Sequence, residues 1–99
     1  MSADAGTYSE NAGSLFDEAQ ASFSRQDYAR AEPVFREIIR KYAYSRYARK
    51  AEMKIADIRF AQGRWAEARV AYEQWIRDHR SDEEMTSYAA GRIEELKNR

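Results

Sequence analysis

The stretch Gln26-Asp27-Tyr28-Ala29-Arg30-Ala31 recurs 37 residues further along the chain as Gly63-Arg64-Trp65-Ala66-Glu67-Ala68. Each copy consists of a turn, an aromatic residue and a small residue three positions later, and apolar residues at helical intervals follow it. A unit of about 20 to 50 residues that repeats at a fixed period is typical of stacked helices, because one unit cannot bury its apolar face alone. This repeat predicts the fold.

Composition indicates one small helical domain. Of the 99 residues, 43% are hydrophobic and 34% are charged, and there are four glycines, one proline and no cysteine. The lack of cysteine excludes a disulfide framework, a thiol nucleophile and thiolate metal ligands. No stretch approaches the ~20 apolar residues of a membrane span, and the first residues lack the features of a signal peptide. We therefore expect a chain that is soluble as given.

Caps and apolar stripes predict where the helices lie. The first residues are small, polar and acidic, so we expect a disordered or frayed lead over 1–13. Ser14, Asp27 and Ser81 are the predicted N-terminal caps, and Gly63 is the predicted left-handed C-terminal cap. The five helices are expected at 14–25, 28–42, 47–62, 65–79 and 81–98.

The predicted architecture is an all-α domain over residues 14–99 with no competing strand signal. Two helix pairs form repeat 1 (14–46) and repeat 2 (47–80), and a capping helix (81–98) closes the domain. Two and a half repeats are fewer than the roughly three that a stable array normally needs. Truncation or self-association would each explain the short array, and a homo-oligomer is one expectation.

These spacings resemble the tetratricopeptide repeat (TPR). The matching positions are a small residue in the first helix, an aromatic at the turn, a contact alanine and a large residue in the second helix. In the two repeats these positions hold Ala19 and Ala56, Tyr28 and Trp65, Ala31 and Ala68, and Phe35 and Tyr72. The resemblance implies an α-solenoid fragment that acts as a protein–protein interaction or scaffold module.

The connection between the two repeats carries a finer resemblance. The 37-residue period exceeds the standard repeat of about 34 residues, and the segment 41–48 is similar to the connection in bacterial envelope proteins of the BamD and CpoB types. That similarity implies a role in outer-membrane protein assembly or maintenance. It also implies a place at the periplasmic face of the outer membrane if the chain is truncated, with the cytoplasm as the alternative.

In this family a proline usually ends the second helix of each pair, and both of these prolines are missing here. Ala43 and Arg80 stand in their places, and without proline the preceding residue is free to stay helical. We therefore hypothesise that the second and third helices merge into one, which would let two chains exchange halves.

The resemblance also implies a binding groove, lined by residues of the first helix of each pair. Carried onto this chain, those positions are Phe16, Gln20 and Phe23 in repeat 1 and Lys50, Met53, Asp57 and Phe60 in repeat 2. Aromatic side chains and a methionine beside single charges suit an apolar peptide or a partner helix. Occupation of this groove by the fifth helix, or by a second copy of the chain, remains open.

The sequence contains little material for catalysis. His79, the only histidine, falls at a helix end with no partner at the spacing of a catalytic triad or acid–base pair. Four glutamates could be considered as metal ligands. Because no histidine accompanies them, we expect them to form a solvated face and a capped helix start, and no metal site. Those candidates are Glu83, Glu84, Glu94 and Glu95. We expect no enzymatic activity, cofactor or metal.

Aromatic and basic residues offer two more candidate sites. Trp65 and Trp75 are expected to pack in the core. The run 40–50 interleaves tyrosines with Arg40, Lys41, Arg46, Arg49 and Lys50, and contains no acidic residue. Nucleic-acid binding by this run is the less favoured interpretation. We favour tyrosines that pack between repeats and cations that form a solvated rim or contact an acidic partner.

Charge is uneven along the chain. Residues 1–24 carry four acidic and no basic residues, whereas residues 25–50 carry eight basic against three acidic residues. The two segments could attract each other within one molecule or between two.

Overall fold

The computed structural model describes residues 3–99, with side chains from residue 6 onward. Within that part of the chain all regular structure is helical, and the all-α prediction is confirmed. The helices are α1 (Ala3–Ser24), α2 (Tyr28–Lys41), α3 (Arg46–Ala61), α4 (Trp65–Asp78) and α5 (Glu83–Leu96). They fall into two compact units, Met1–Glu52 (unit 1) and Met53–Arg99 (unit 2). The helix α3 contributes its first part to unit 1 and its second part to unit 2.

The predicted lead is wrong where the structure describes it, because α1 begins at Ala3 and not at Ser14. Tertiary contacts stabilise these first turns. The ring of Tyr8 packs edge-on against Tyr42 with centroids 5.0 Å apart. At Gly13 a Cβ atom would lie 3.1 Å from the ring of Tyr47, so only glycine allows that ring to lie so close. The prediction for Met1 and Ser2 lies outside the described residues.

The turns that open α2 and α4 are the same structure, built on different residues. In the first, the N–H of Gln26 donates to Phe23 O (2.9 Å) and that of Asp27 to Ser22 O (2.9 Å). In the second, Gly63 and Arg64 repeat this pattern 37 residues later. Such a pair of bonds is a Schellman motif, which needs a left-handed residue. Gln26 supplies it with φ 64° and Gly63 with φ 74°. The prediction of a left-handed cap at Gly63 is therefore confirmed.

Helices α2 and α3 are separate, so the hypothesis that they merge is wrong. Four residues, 42–45, lie between them. The hydroxyl of Ser45 donates to Tyr42 O (2.7 Å) and accepts from the N–H of Ala48 (3.3 Å). Ser45 therefore caps α3, and this cap breaks the helix without the proline that the family uses there.

The cap of α5 also differs from the prediction by one residue. Asp82, and not Ser81, is the N-cap, and its Oδ1 accepts from the N–H of Met85 over 3.1 Å. The corresponding prediction for α2 is confirmed, since Asp27 accepts from the N–H of Arg30. An aspartate in both places adds a negative charge near the positive end of the helix dipole.

Each unit has its own buried core. In unit 1 the core includes Ala19, Ala31, Phe35 and Ile38, all with 0% exposure. In unit 2 one apolar cluster joins the second part of α3 to α4 and α5; its buried members are Met53, Ala56, Ala68, Tyr72, Trp75, Ala89 and Leu96. The contact alanines Ala31 and Ala68 are thus buried at equivalent places in the two cores.

Candidate functional site

The predicted groove residues of α1 are half-buried and take part in packing within unit 1. The ring of Phe16 lies 5.6 Å from that of Phe35 and 5.7 Å from that of Tyr47, measured between centroids. The ring of Phe23 lies 5.6 Å from that of Tyr28 in the same way. A partner would therefore meet only the edges of these two phenylalanines.

Gln20 lies between these two phenylalanines in the sequence and is the polar residue among the predicted groove residues of α1. Its side chain is half-buried, and Oε1 is buried without a hydrogen-bond partner among the described residues. The residue 37 positions later is Asp57, whose carboxylate does have partners. One of those partners is Tyr72, and the equivalent residue in repeat 1 is Phe35, which has no hydroxyl to donate.

The predicted groove residues of unit 2 lie under α5. Met53 is 3% exposed and belongs to the core cluster. Asp57 is 7% exposed, and its Oδ1 accepts hydrogen bonds from the hydroxyls of Tyr72 (2.5 Å) and Tyr88 (2.8 Å). These two bonds join α3 to α4 and to α5.

Arg92 of α5 extends this network to Phe60. Its Nε donates to the hydroxyl of Tyr88 (3.2 Å), its Nη1 pairs with Glu95 (3.1 Å), and its guanidinium carbon lies 4.1 Å from the centroid of the Phe60 ring. Met53 and Asp57 would therefore meet an external partner only if α5 moved, whereas Phe60 is half-buried beneath Arg92.

The hydrogen-bonded network of Asp57, Tyr72 and Tyr88 in unit 2 holds the helices together. Burial raises the pKa of Asp57, and the hydrogen bonds from Tyr72 and Tyr88 oppose that rise because they favour the charged carboxylate. Burial, together with the nearby Asp57 carboxylate, also raises the pKa of Tyr72. Tyr72 is completely buried, so it has no access to a substrate.

Lys50, the last predicted groove residue, belongs to an exposed basic surface on unit 1. We call the exposed residues Arg40, Tyr44, Arg46, Arg49 and Lys50 the basic loop surface. Lys41 of the same run pairs with Glu37 (3.4 Å).

Tyr44 dominates the basic loop surface. It is 97% exposed, although its backbone N–H donates to the hydroxyl of Tyr8 over 3.2 Å. The other tyrosines of the run are half-buried: Tyr42 packs on Tyr8, and Tyr47 packs on Phe16. The prediction that the tyrosines of this run pack is therefore wrong for Tyr44, and the periodicity of the sequence carries no signal that singles it out.

A second exposed surface lies on α4, also in a place that the sequence analysis missed. Trp65 is 36% and Val70 61% exposed. With neighbouring side chains they line a shallow, open depression of about 490 Å³; the lining is Trp65, Ala66, Arg69, Val70, Glu73 and Leu96. We call Trp65, Ala66, Arg69, Val70 and Glu73 the outer face of α4. The core prediction is thus confirmed for Trp75, which is 3% exposed, and wrong for Trp65.

The remaining candidates from the sequence are the single histidine, a metal site and a membrane-spanning helix. His79 is the C-cap of α4, and its ring lies 4.6 Å from that of Trp75 between centroids. Among residues 6–99, no three carboxylate or imidazole side chains come together in a way that could hold a metal ion. In the same range, every helix is too short or too polar to cross a bilayer.

Comparison with known proteins identifies the family. A family model described as a tetratricopeptide repeat-like domain matches residues 4–98, and the chain belongs to this family. No curated protein and no solved structure matches the chain. Domains of this family are in general modules for protein–protein interaction and are typically non-catalytic. The finer likeness to envelope proteins of the BamD and CpoB types has no support in these comparisons.

Proposed function

We propose that this chain is a protein–protein interaction module that binds an acidic partner protein through the basic loop surface. The observation that carries the proposal is the fully exposed ring of Tyr44 among four exposed cations. Tyrosine and arginine are enriched among the few residues that dominate the energy of protein interfaces. A tyrosine also offers a large contact area at a low cost in conformational entropy, because its side chain has only two χ angles.

The charge of the surface selects the partner. The run 40–50 contains five basic and no acidic residues, and the positive end of the α3 dipole begins at Arg46. Two of the cations also shape the surface: the guanidinium carbon of Arg46 lies 4.9 Å, and Nζ of Lys50 5.8 Å, from the centroid of the Tyr47 ring. Carboxylates of a partner would find two positive charges beside Tyr47, on the same run that exposes Tyr44.

A protein fits this surface better than a nucleic acid does. Single-stranded nucleic acids bind to series of aromatic rings on which successive bases stack, and here Tyr42 and Tyr47 are engaged in packing while Tyr44 alone stands free of it. The chain as a whole is neutral, whereas nucleic-acid-binding domains are commonly strongly basic.

The predicted groove joins this proposal through Lys50. Phe16, Gln20 and Phe23 remain the part of the groove prediction that a partner segment could reach without movement of α5. A role in the assembly of bacterial outer-membrane proteins rests on the likeness of the segment 41–48 and stays a proposal.

A binding experiment tests the partner chemistry. We would measure the fluorescence anisotropy of a labelled glutamate-rich peptide, the same peptide with glutamine for glutamate, and single-stranded RNA, at low and physiological salt. We expect binding of the acidic peptide alone, weakened by about tenfold in Tyr44→Ala and in Arg46→Glu/Lys50→Glu.

The double variant Arg80→Glu/Lys97→Glu is the matched control, because it makes the same change in net charge at exposed residues of unit 2 that lie on neither proposed surface. It should leave the affinity nearly unchanged. Equal losses of affinity in both double variants would mean that net charge, and not this surface, determines binding, which would contradict the proposal. Tighter binding of RNA than of the acidic peptide would contradict it as well.

A further inference from the structure

The outer face of α4 exposes apolar area in the middle of a charged helix. Val70 is 61% exposed, and Trp65, five residues before it, is 36% exposed. The ring of Trp65 is held in place by Phe60, 5.4 Å away between centroids, and by Arg99, whose guanidinium carbon lies 4.7 Å from it. The tryptophan is therefore a rigid part of the surface.

The charges beside Val70 have an order that complements itself. Arg69 and Glu73 lie one turn apart, pair over 3.2 Å and are 48% and 41% exposed at their side chains. When two such helices meet antiparallel about a two-fold axis near Val70, Arg69 of each copy comes opposite Glu73 of the other. A contact between identical copies requires this kind of self-complementarity.

The ends of the contact match as well. The same antiparallel register places Trp65 opposite Arg77 of the second copy, and Arg77 is exposed. A guanidinium over an indole ring is a favourable pair, and the two Val70 side chains would cover each other near the axis. We infer that the outer face of α4 is the surface through which two copies of this chain associate as a two-fold dimer.

This inference is independent of the proposed function, because it uses a different surface on the other unit. Repeat 1 supplies a matched control for it. The residues 37 positions before Arg69 and Glu73 are Glu32 and Arg36, which form the same type of pair over 2.9 Å on α2. A charge reversal there repeats the chemistry at an equivalent repeat position without touching α4.

The mass of the chain in solution tests the dimer. We would measure it by sedimentation equilibrium over a range of concentrations and expect a reversible monomer–dimer equilibrium in the wild type. Arg69→Glu and Glu73→Arg should each weaken association by about tenfold or more, because each places like charges opposite one another twice. Val70→Glu should do the same, and Arg36→Glu should not.

Mixing the two charge variants gives the sharpest outcome. An equimolar mixture of Arg69→Glu and Glu73→Arg should form heterodimers, visible by native mass spectrometry, since each reversed charge then meets an opposite one. Melting of each variant alone checks that it folds. A wild type that stays monomeric at every concentration, or a mixture that forms no heterodimer, would overturn the inference. Loss of association in Arg36→Glu would overturn it too, in favour of a head-to-tail contact.

Discussion

The hydroxyl of Tyr88 lies 2.8 Å from Oδ1 of Asp57, and this hydrogen bond connects α5 to α3 around a carboxylate that is nearly excluded from water. Tyr72 of α4 donates to the same oxygen. The three helices of unit 2 therefore meet at one acceptor atom. Its counterpart in repeat 1 is Oε1 of Gln20, which has no hydrogen-bond partner within the part of the chain that the structure describes.

Asp57→Asn should change how stability depends on pH. Burial raises the pKa of Asp57 above 3.8, so the folded protein holds this proton more tightly than the unfolded chain does. The contribution of Asp57 to stability is then complete below about pH 4 and declines as the pH rises through the folded pKa. Asparagine offers the same acceptor without a charge. We expect the stability of Asp57→Asn, relative to the wild type, to increase from acid to neutral pH.

Urea denaturation at a series of pH values measures this difference. Asp78→Asn, at an exposed position of α4, is the control for the same carboxylate-to-amide change outside this network. A relative stability of Asp57→Asn that stays constant would show that the site does not distinguish the charged from the neutral carboxyl group, and one that falls towards neutral pH would show that the charge is favourable there; either result contradicts the prediction.

Gln20→Met should stabilise the protein. Methionine has nearly the shape of glutamine, and it removes a buried oxygen for which the described residues supply no donor. The cost of such an unpaired group is about 1 kcal/mol or more, and the free energy of unfolding should rise by roughly that amount in chemical denaturation. Gln74→Met, which gives up exposed hydrogen bonds to Asp78 and Arg77, should bring no gain. A clear loss in Gln20→Met would mean that Oε1 finds a donor in solution.

Exchanging the two left-handed residues should move stability in opposite directions. Gln26 adopts φ 64°, a conformation that costs a residue with a side chain roughly 1 kcal/mol and costs glycine almost nothing. We expect Gln26→Gly to raise the melting temperature and Gly63→Gln to lower it. The loss of stability in Gly63→Gln should come from backbone strain and not from a steric clash, since a Cβ at Gly63 meets nothing closer than 3.7 Å. Shifts of the same sign would contradict this account.

Leucine at either contact alanine should destabilise its core. Ala31 and Ala68 are fully buried, and overpacking at such sites typically costs about 1 to 3 kcal/mol. The alanines Ala29 and Ala90 are exposed, so Ala29→Leu and Ala90→Leu are controls that should stay within about 0.5 kcal/mol of the wild type. Thermal melting distinguishes the two pairs. If all four variants melted alike, the helices would not pack through these alanines.

The bounds of three helices could be predicted from the sequence to within one residue. The predictions 28–42, 47–62 and 65–79 compare with Tyr28–Lys41, Arg46–Ala61 and Trp65–Asp78. Caps, turns and apolar stripes are local signals, because the groups that make them lie within a few residues of one another. The start of α1 could not be predicted in this way, since it depends on contacts of Tyr8 and Gly13 with residues about 34 positions away.

The candidate sites divide along the same line. Helical spacing places Met53, Asp57 and Phe60 on one face of α3, but spacing does not say which element covers a face, and the tyrosine and arginine of α5 that cover this one are far away in sequence. Trp65 and Trp75 likewise share a helix, yet Trp65 is its first residue and stays at the edge of the core. Exposure of Tyr44 follows from the loop geometry alone.

By itself, the sequence determined that this chain is an all-α member of the TPR-like family, because the repeated turn, its aromatic and its alanine are local features at a fixed period. Tertiary structure alone decided which faces of the helices remain open to a partner. The reason is physical: burial of a side chain depends on every element that packs against it, and most of those elements are distant along the chain.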